Sequence, residues 1–235
     1  MTTTLITGAN KGLGFETARR LIDAGHIVYI GSRDAERGRA AAEQLGARLV
    51  VLDVTDNATV DAAAKLIEAD GGLDVLVNNA GIEARSADNG IVGAADVTGE
   101  QMADVFETNV FGLVRVTHAF LPLLQRSPAP VIVNVGSGLG SISRIADPDG
   151  PTHFYPGVAY PASKAAVNMV TVQFAKAFPG MRINAVEPGF TATDLNGRTG
   201  TQSVEQGAEV IVRMAQLGPD GPAGGFFHAG GRLPW

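Results

Sequence analysis

Tyr160 and Lys164 stand four residues apart in AYPASKAA (159–166). On a helix, that spacing puts a phenol and an ammonium on one face. Pro161 suits a first helical turn, which places Tyr160 at a helix N-terminus. The lysine charge and the helix dipole would then both favour a phenolate. One charge at ~4 Å in an effective dielectric near 20 is worth roughly 4 kcal/mol. That is about three pKa units, enough to bring a phenol from its ordinary range toward neutrality. A tyrosine so tuned gives or takes a proton at a carbonyl or alcohol oxygen. Taken alone, the spacing also fits an ordinary amphipathic helix start.

A second chemical signal is TGANKGLG (7–14). Gly8, Gly12 and Gly14 read G-x-x-x-G-x-G, with Asn10, Lys11 and Leu13 between them. Glycines let a backbone turn tightly and approach a pyrophosphate, and a helix N-terminus adds free N–H groups. A plain tight turn would look the same in isolation. At the end of the next apolar run stand Ser32 and Arg33, where an acid would accept ribose hydroxyls and an arginine suits a 2′-phosphate. Asp34 is placed to cap the following helix. Lys11 and Arg33, with Arg37 nearby in sequence, would surround the extra phosphate of NADP(H); solvated surface cations are the plain alternative. GSGLGS (136–141) resembles a phosphate loop but is followed by ISRIADPDGP, which lacks a helical period, so it reads as an active-site loop. His26, His118, His153 and His228 match no metal spacing, so no metal is expected. Glu83 and Asp88 read as solvated loop acids.

The elements that must position these residues alternate along the chain. Strands are expected at 3–7, 26–31, 48–52, 73–78, 130–135, 181–187 and 224–228, and helices at 14–24, 34–45, 57–70, 99–125, 160–178 and 203–217. Most strand runs are continuous in Val, Ile and Leu, as in a parallel sheet covered on both faces. Thr98 with Gln101 makes a capping box for the longest helix. The pattern predicts an α/β, Rossmann-type doubly wound sheet of about seven strands, within one domain spanning 1–235. The irregular stretches 79–98, 136–158 and 188–202 each follow the carboxyl end of a strand, the edge where such sheets bind ligands.

The composition narrows the classes. The net charge is −6, 45% of residues are hydrophobic and 18% charged, and there is no cysteine. No basic run points to nucleic acid or an anionic membrane surface. No apolar run approaches the roughly 18 residues of a membrane span. A strand-like start leaves no room for a signal peptide, so a soluble, cytoplasmic protein is expected.

TGANKGLG, LDVTD (52–56), NNAG (78–81), Asn109, VGS with Ser137, YPASK and EPG (187–189) occur in the order typical of the short-chain dehydrogenase/reductase family. The resemblance covers essentially the whole chain. NKG in the glycine loop, SRDAERG after the second strand and the ending GGFFHAGGRLPW look most like the NADPH-using carbonyl-reductase branch. The resemblance implies a tetrad. Tyr160 would be the general acid in reduction, Ser137 would hydrogen-bond the substrate oxygen, and Lys164 would tune Tyr160 and hold the ribose. Asn109 would break the long helix and anchor a water. It further implies that Asp53 and Val54 face the adenine, that Asn79, Ala80 and Gly81 line the cofactor cleft, and that Pro188, Gly189, Thr191 and Thr193 cover the nicotinamide amide. The implied activity is NADPH-dependent reduction of a ketone or aldehyde; the alternatives are the reverse alcohol oxidation and a nucleotide-sensing regulator. One departure stands out: 22 residues separate Ser137 from Tyr160, where the family usually has about a dozen. Such insertions accompany monomers in that branch, so either monomer or homodimer fits. Phe154 and Tyr155 of the insertion, with Trp235 of the tail, are expected to wall the substrate pocket.

Overall fold

Runs of β-branched residues with no polar alternation build strands that are buried on both faces. The computed structural model describes residues 1–235 apart from Ala87 and Asn89, which fall in the expected 79–98 loop. Its strands are β1 (Thr3–Thr7), β2 (Ile27–Ser32), β3 (Arg48–Val51), β4 (Val75–Asn78), β5 (Val131–Val135), β6 (Arg182–Val186), β7 (Phe226–His228) and β8 (Gly231–Leu233). They form one sheet in the order β3-β2-β1-β4-β5-β6-β7-β8. Every pairing is parallel except β7 with β8. The eighth strand departs from the seven expected. The Ala229–Gly230 turn lets the tail fold back, with His228 opposite Gly231, so residues that look like a glycine-rich tail become an edge strand.

The helices are α1 (Gly12–Asp23), α2 (Ala35–Leu45), α3 (Asn57–Ala69), α4 (Gly99–Phe106), α5 (Leu113–Arg126), α6 (Ile142–Ala146), α7 (Ala159–Ala177) and α8 (Val204–Ala215). Two apolar clusters flank the sheet. Leu5, Leu76 and Ile132 meet α3 and α5 through residues such as Ile67 and Phe120. Ile6, Val77 and Val133 meet α1, α2 and α8 through Leu21, Ala41 and Ile211. Adjacent strand residues thus feed opposite faces, as the period-two geometry of a strand requires. The caps follow the sequence: Asp34 accepts from Arg37 N–H, and Thr98 and Ser203 form capping boxes with Gln101 and Gln206.

Two stretches differ from expectation. The helix expected across 99–125 is α4 and α5 joined by a π-helical turn, Glu107–Gly112, which holds Asn109. The segment after Ser137 is not irregular: it forms a 3₁₀ turn, Gly138–Gly140, and then α6, capped by Ser141 accepting from Arg144 N–H. Three and five residues are too few to display an apolar period, so the pattern could not announce them. Among the described residues, no helix is long and apolar enough to cross a membrane.

Candidate active site

The chain order reverses between β1 and β4, where crossovers leave in opposite directions and a crevice opens at the carboxyl edge. A cleft of about 1330 Å³ occupies that edge. It is lined by Gly8, Asn10, Lys11, Gly12 and Leu13 from the first loop, Ser32 and Arg33 after β2, and Asp53 and Val54 after β3. Asn79, Ala80 and Gly81 after β4, Ser137 after β5, Tyr160 and Lys164 of α7, and Pro188, Gly189, Thr191 and Thr193 after β6 complete that set. Of the residues singled out in the sequence, Gly14 and Asn109 lie behind this wall and not on it.

The first loop suits a pyrophosphate. Gly12 has φ 58°, and an added Cβ would meet only Thr193 Cγ2, at 3.8 Å. Behind it, a Cβ on Gly14 would stand 2.6 Å from Asn79 Nδ2, so Gly14 permits the close packing that shapes the loop. Asn79 braces that packing, donating from Nδ2 to the carbonyls of Thr7 and Gly8 at 2.9 and 3.1 Å. The N-terminus of α1 carries no side-chain cap, leaving its first N–H groups for a ligand. A dinucleotide phosphate therefore fits the residues present.

Lys11 has a different partner from the one expected. Its Nζ pairs with Asp194 Oδ2 at 2.8 Å, across the cleft mouth, and Arg198 holds the other oxygen of Asp194. Asp194 is accordingly held below its usual range, first by the Lys11 hydrogen bond. Arg33 is exposed on the cleft rim. Asp34 is taken up by its helix-capping bond and an ion pair with Arg37. Asp53 is held locally, accepting from Thr55 N–H and Oγ1.

Tyr160 is the second residue of α7 and Lys164 lies one turn on. The Lys164 ammonium is buried, donates to the Val135 carbonyl at 2.7 Å and sits 5.6 Å from the Tyr160 ring centre. Burial pulls it down to about 8. The expected phenolate is not what this environment favours. Burial pushes the Tyr160 phenol up, and the Glu83 carboxylate pushes it further, against an opposing hydrogen bond from Ser137. Desolvation penalises the charged form, and no spacing rule carries that term. The neutral phenol is therefore favoured over the phenolate.

Asn109 is 1% exposed and fully engaged. Its Nδ2 donates to the Ile82 carbonyl and Ser163 Oγ at 2.9 and 3.0 Å, and its Oδ1 accepts from Ile82 N–H at 2.8 Å. Its side chain thus ties the loop after β4 to α7. Ser137 Oγ accepts from Leu139 N–H at 3.2 Å, which fixes the hydroxyl at the head of the 3₁₀ turn. Asn168 of α7 holds that turn by donating to the Gly140 carbonyl at 3.0 Å.

Several cleft residues carry no sequence signal. Glu83 is buried, not solvated: its side chain is 7% exposed, paired with Arg85 and accepting from the Tyr155 hydroxyl. Asp88, by contrast, is exposed. Arg144 of α6 reaches Glu187 at 3.1 Å in the same cleft. Gln202 braces the loop after β6, donating to the Pro188 carbonyl and to Thr191 Oγ1. Phe154 and Tyr155 line the cleft, but Trp235 does not. Its ring stacks on Phe226 at 5.7 Å, while the Pro234 and Trp235 carbonyls accept from Ser141 and Ser143. The tail supports the loop after Ser137 from outside the pocket.

Comparison with known proteins agrees with this geometry. The family model described as short chain dehydrogenase matches residues 2–204. A (-)-isopiperitenone reductase from Mentha piperita is 34% identical over 300 aligned positions, covering 95% of both chains. The solved structure of salutaridine reductase from Papaver somniferum superposes with a TM-score of 0.85 at 30% identity, over 97% of this chain and 100% of that one. An NADPH-bound carbonyl reductase from chicken fatty liver gives 0.83 at 26% identity, over 100% and 99%. With the motif order, the doubly wound sheet and these relatives in agreement, the chain belongs to the short-chain dehydrogenase/reductase family of oxidoreductases, in its carbonyl-reductase branch.

Proposed function

We propose that this protein reduces a ketone or aldehyde to the alcohol with NADPH, residues 1–235 acting as one cofactor-binding and catalytic domain. The observation that carries the reading is Tyr160 set beside Ser137 and Lys164 on the cleft wall, at the end of a glycine cradle. When bound, the reduced nicotinamide supplies a hydride to the carbonyl carbon. Tyr160 gives its proton to the carbonyl oxygen as negative charge gathers there, and Ser137 donates a hydrogen bond to the same oxygen. Lys164 presents a positive charge that stabilises the phenolate left behind and holds the ribose. Asn109 keeps Ile82 and α7 in register. Gly8, Asn10, Gly12, Leu13 and the Gly14 packing cradle the pyrophosphate. Asp53 and Val54 face the adenine, Asn79, Ala80 and Gly81 line the cleft floor, and Pro188, Gly189, Thr191 and Thr193 cover the carboxamide.

Preference for NADPH is supported by the end of β2. Gly31, Ser32 and Arg33 offer no acid for a ribose hydroxyl, and Asp34 is committed to its helix cap. Arg33, with Lys11 once it leaves Asp194, meets the 2′-phosphate. The NADPH-bound neighbour and the reductase names among the relatives support the same reading. The test is cofactor oxidation with a panel of ketones and aldehydes. The expected result is NADPH favoured over NADH at least tenfold in kcat/KM, with Arg33→Asp erasing that margin, since a charge-assisted contact is worth about 1.5–3 kcal/mol. Equal use of both cofactors would overturn the preference. Absence of any Tyr160-dependent turnover would overturn the reaction.

A further inference from the structure

Beside Tyr160 lies a second polar cluster that carbonyl reduction as described does not use. The Glu83 carboxylate is nearly buried in the cleft wall. One oxygen accepts from the Tyr155 hydroxyl and the other from Arg85 Nη2, which also reaches the Leu195 carbonyl at 3.2 Å. The loops after β4 and β5 therefore meet at this carboxylate, and the loop after β6 joins them through Arg85. A carboxylate has about four lone-pair sites, of which these two donors take one on each oxygen. The Tyr155 oxygen, while donating its O–H to Glu83, also keeps acceptor capacity. Towards the cleft, then, Glu83 and Tyr155 offer acceptors. The cleft wall around them is apolar, with Ile82, Ile91, Leu139 and Phe154.

We infer that Glu83 and Tyr155 form a specificity subsite that accepts a hydrogen bond from a hydroxyl group carried by the carbonyl substrate next to its reacting carbon. Arg85 already neutralises Glu83, which favours a neutral hydroxyl over an ammonium. The surrounding side chains suit an apolar ring as the body of that substrate. A desolvated acceptor left without a donor is costly, so a site built this way discriminates strongly against an analogue that lacks the hydroxyl. The inference rests on the carbonyl-reduction reading of the same cleft.

The experiment compares α-hydroxycyclohexanone with α-methoxycyclohexanone, which has the same ring and carbonyl but no donor. The readout is the ratio of their kcat/KM values with NADPH. Wild type is expected to favour the hydroxyketone by about tenfold or more. Glu83→Gln presents an amide whose oxygen is claimed by Tyr155 and Arg85, and its ratio should fall towards one. Tyr155→Phe frees a lone pair on Glu83, so its ratio should hold or rise. A merely structural cluster would slow both ketones together in both variants and leave the ratio unmoved. A wild-type ratio near one, or an unchanged ratio in Glu83→Gln, overturns the subsite while leaving carbonyl reduction standing. If neither ketone supports Tyr160-dependent NADPH oxidation and the wider carbonyl panel fails as well, the reaction itself is wrong. The subsite is then read by calorimetry of the same two ketones on NADPH-loaded Tyr160→Phe protein, where equal Kd values overturn it and a hydroxyketone preference abolished by Glu83→Gln upholds it.

Discussion

Lys164 shows how burial creates both the chemistry and its cost. Its ammonium is buried against the Val135 carbonyl and is lowered from 10.5 to about 8 by desolvation. At neutral pH it stays charged, but with little margin. Tyr160, pushed the other way, keeps its proton throughout that range. Reduction should therefore hold level to about pH 8 and decline above it as Lys164 discharges, which a kcat/KM profile from pH 6 to 10 will read. Tyr160→Phe should stop turnover while NADPH still binds, measured by quenching of protein fluorescence, because only the proton donor is removed. The same shift has a stability consequence. The unfolded chain holds the Lys164 proton up to 10.5, the folded chain only to about 8. Unfolding thus takes up a proton between those values, and stability rises with pH across that window. At roughly 1.4 kcal/mol per unit, the charged lysine costs the fold about 3 kcal/mol below pH 8. Lys164→Met should be inactive yet melt higher than wild type at pH 7, with its advantage shrinking as pH passes 8. A variant that melts lower at pH 7 would mean that the Val135 hydrogen bond outweighs the desolvation.

Loops and tail act as elements, tied to one another by contacts far apart in sequence. Pro234 and Trp235 reach back to α6: their carbonyls accept from Ser141 and Ser143, and the Trp235 ring lies nearly parallel to that of Phe226. Ser141 is completely buried, so losing the Pro234 carbonyl leaves its O–H only the longer contact to Ser143 Oγ at 3.2 Å among the described hydrogen bonds. Three hydrogen bonds, the third from Ser143 N–H to the Trp235 carbonyl, and one aromatic pair sum to roughly 2–6 kcal/mol. Deleting Pro234 and Trp235 should lower Tm by several degrees and reduce kcat for small and bulky carbonyls alike, since the tail steadies the turn that carries Ser137 and does not wall the pocket. A drop confined to bulky substrates would restore the wall. On the opposite rim, the loop after β6 leans on Lys11 through Asp194. Both side chains are about half exposed, so the pair is weak and screened by salt. Asp194→Asn should release Lys11 to phosphate and lower KM for NADPH by about threefold, with little change for NADH; no change in KM would mean that Lys11 does not reach the cofactor.

At the scale of the molecule, the sheet order decides where ligands go. Reversal between β1 and β4 opens one crevice, and every loop that lines it leaves a strand at the same edge. A ligand bound there bridges both halves of the sheet and must stabilise the fold by mass action. NADPH at a hundredfold over its Kd should add about 2.7 kcal/mol. A thermal-shift titration is therefore expected to show a larger rise with NADPH than with NADH at equal concentration, and Arg33→Asp should reverse the order. Identical shifts would place the 2′-phosphate outside the reach of Arg33.

From sequence alone, the doubly wound architecture, the glycine cradle and the Tyr160–Lys164 pair were legible, because each rests on short-range spacing. A strand repeats every two residues and a helix every 3.6, and four residues return to one helical face. Helix caps were legible for the same reason: Thr98 and Gln101 need only three residues of separation. Tertiary structure alone decided the contacts and the dielectric. Tyr155 and Glu83 meet across 72 positions, and Lys11 and Asp194 across 183. Neither pair leaves a local pattern. The direction of the Tyr160 shift reversed for a related reason: sequence spacing supplies the neighbouring charge, whereas burial, which opposes it, exists only once α7, the Ser137 turn and the 138–158 insertion are packed beside the phenol.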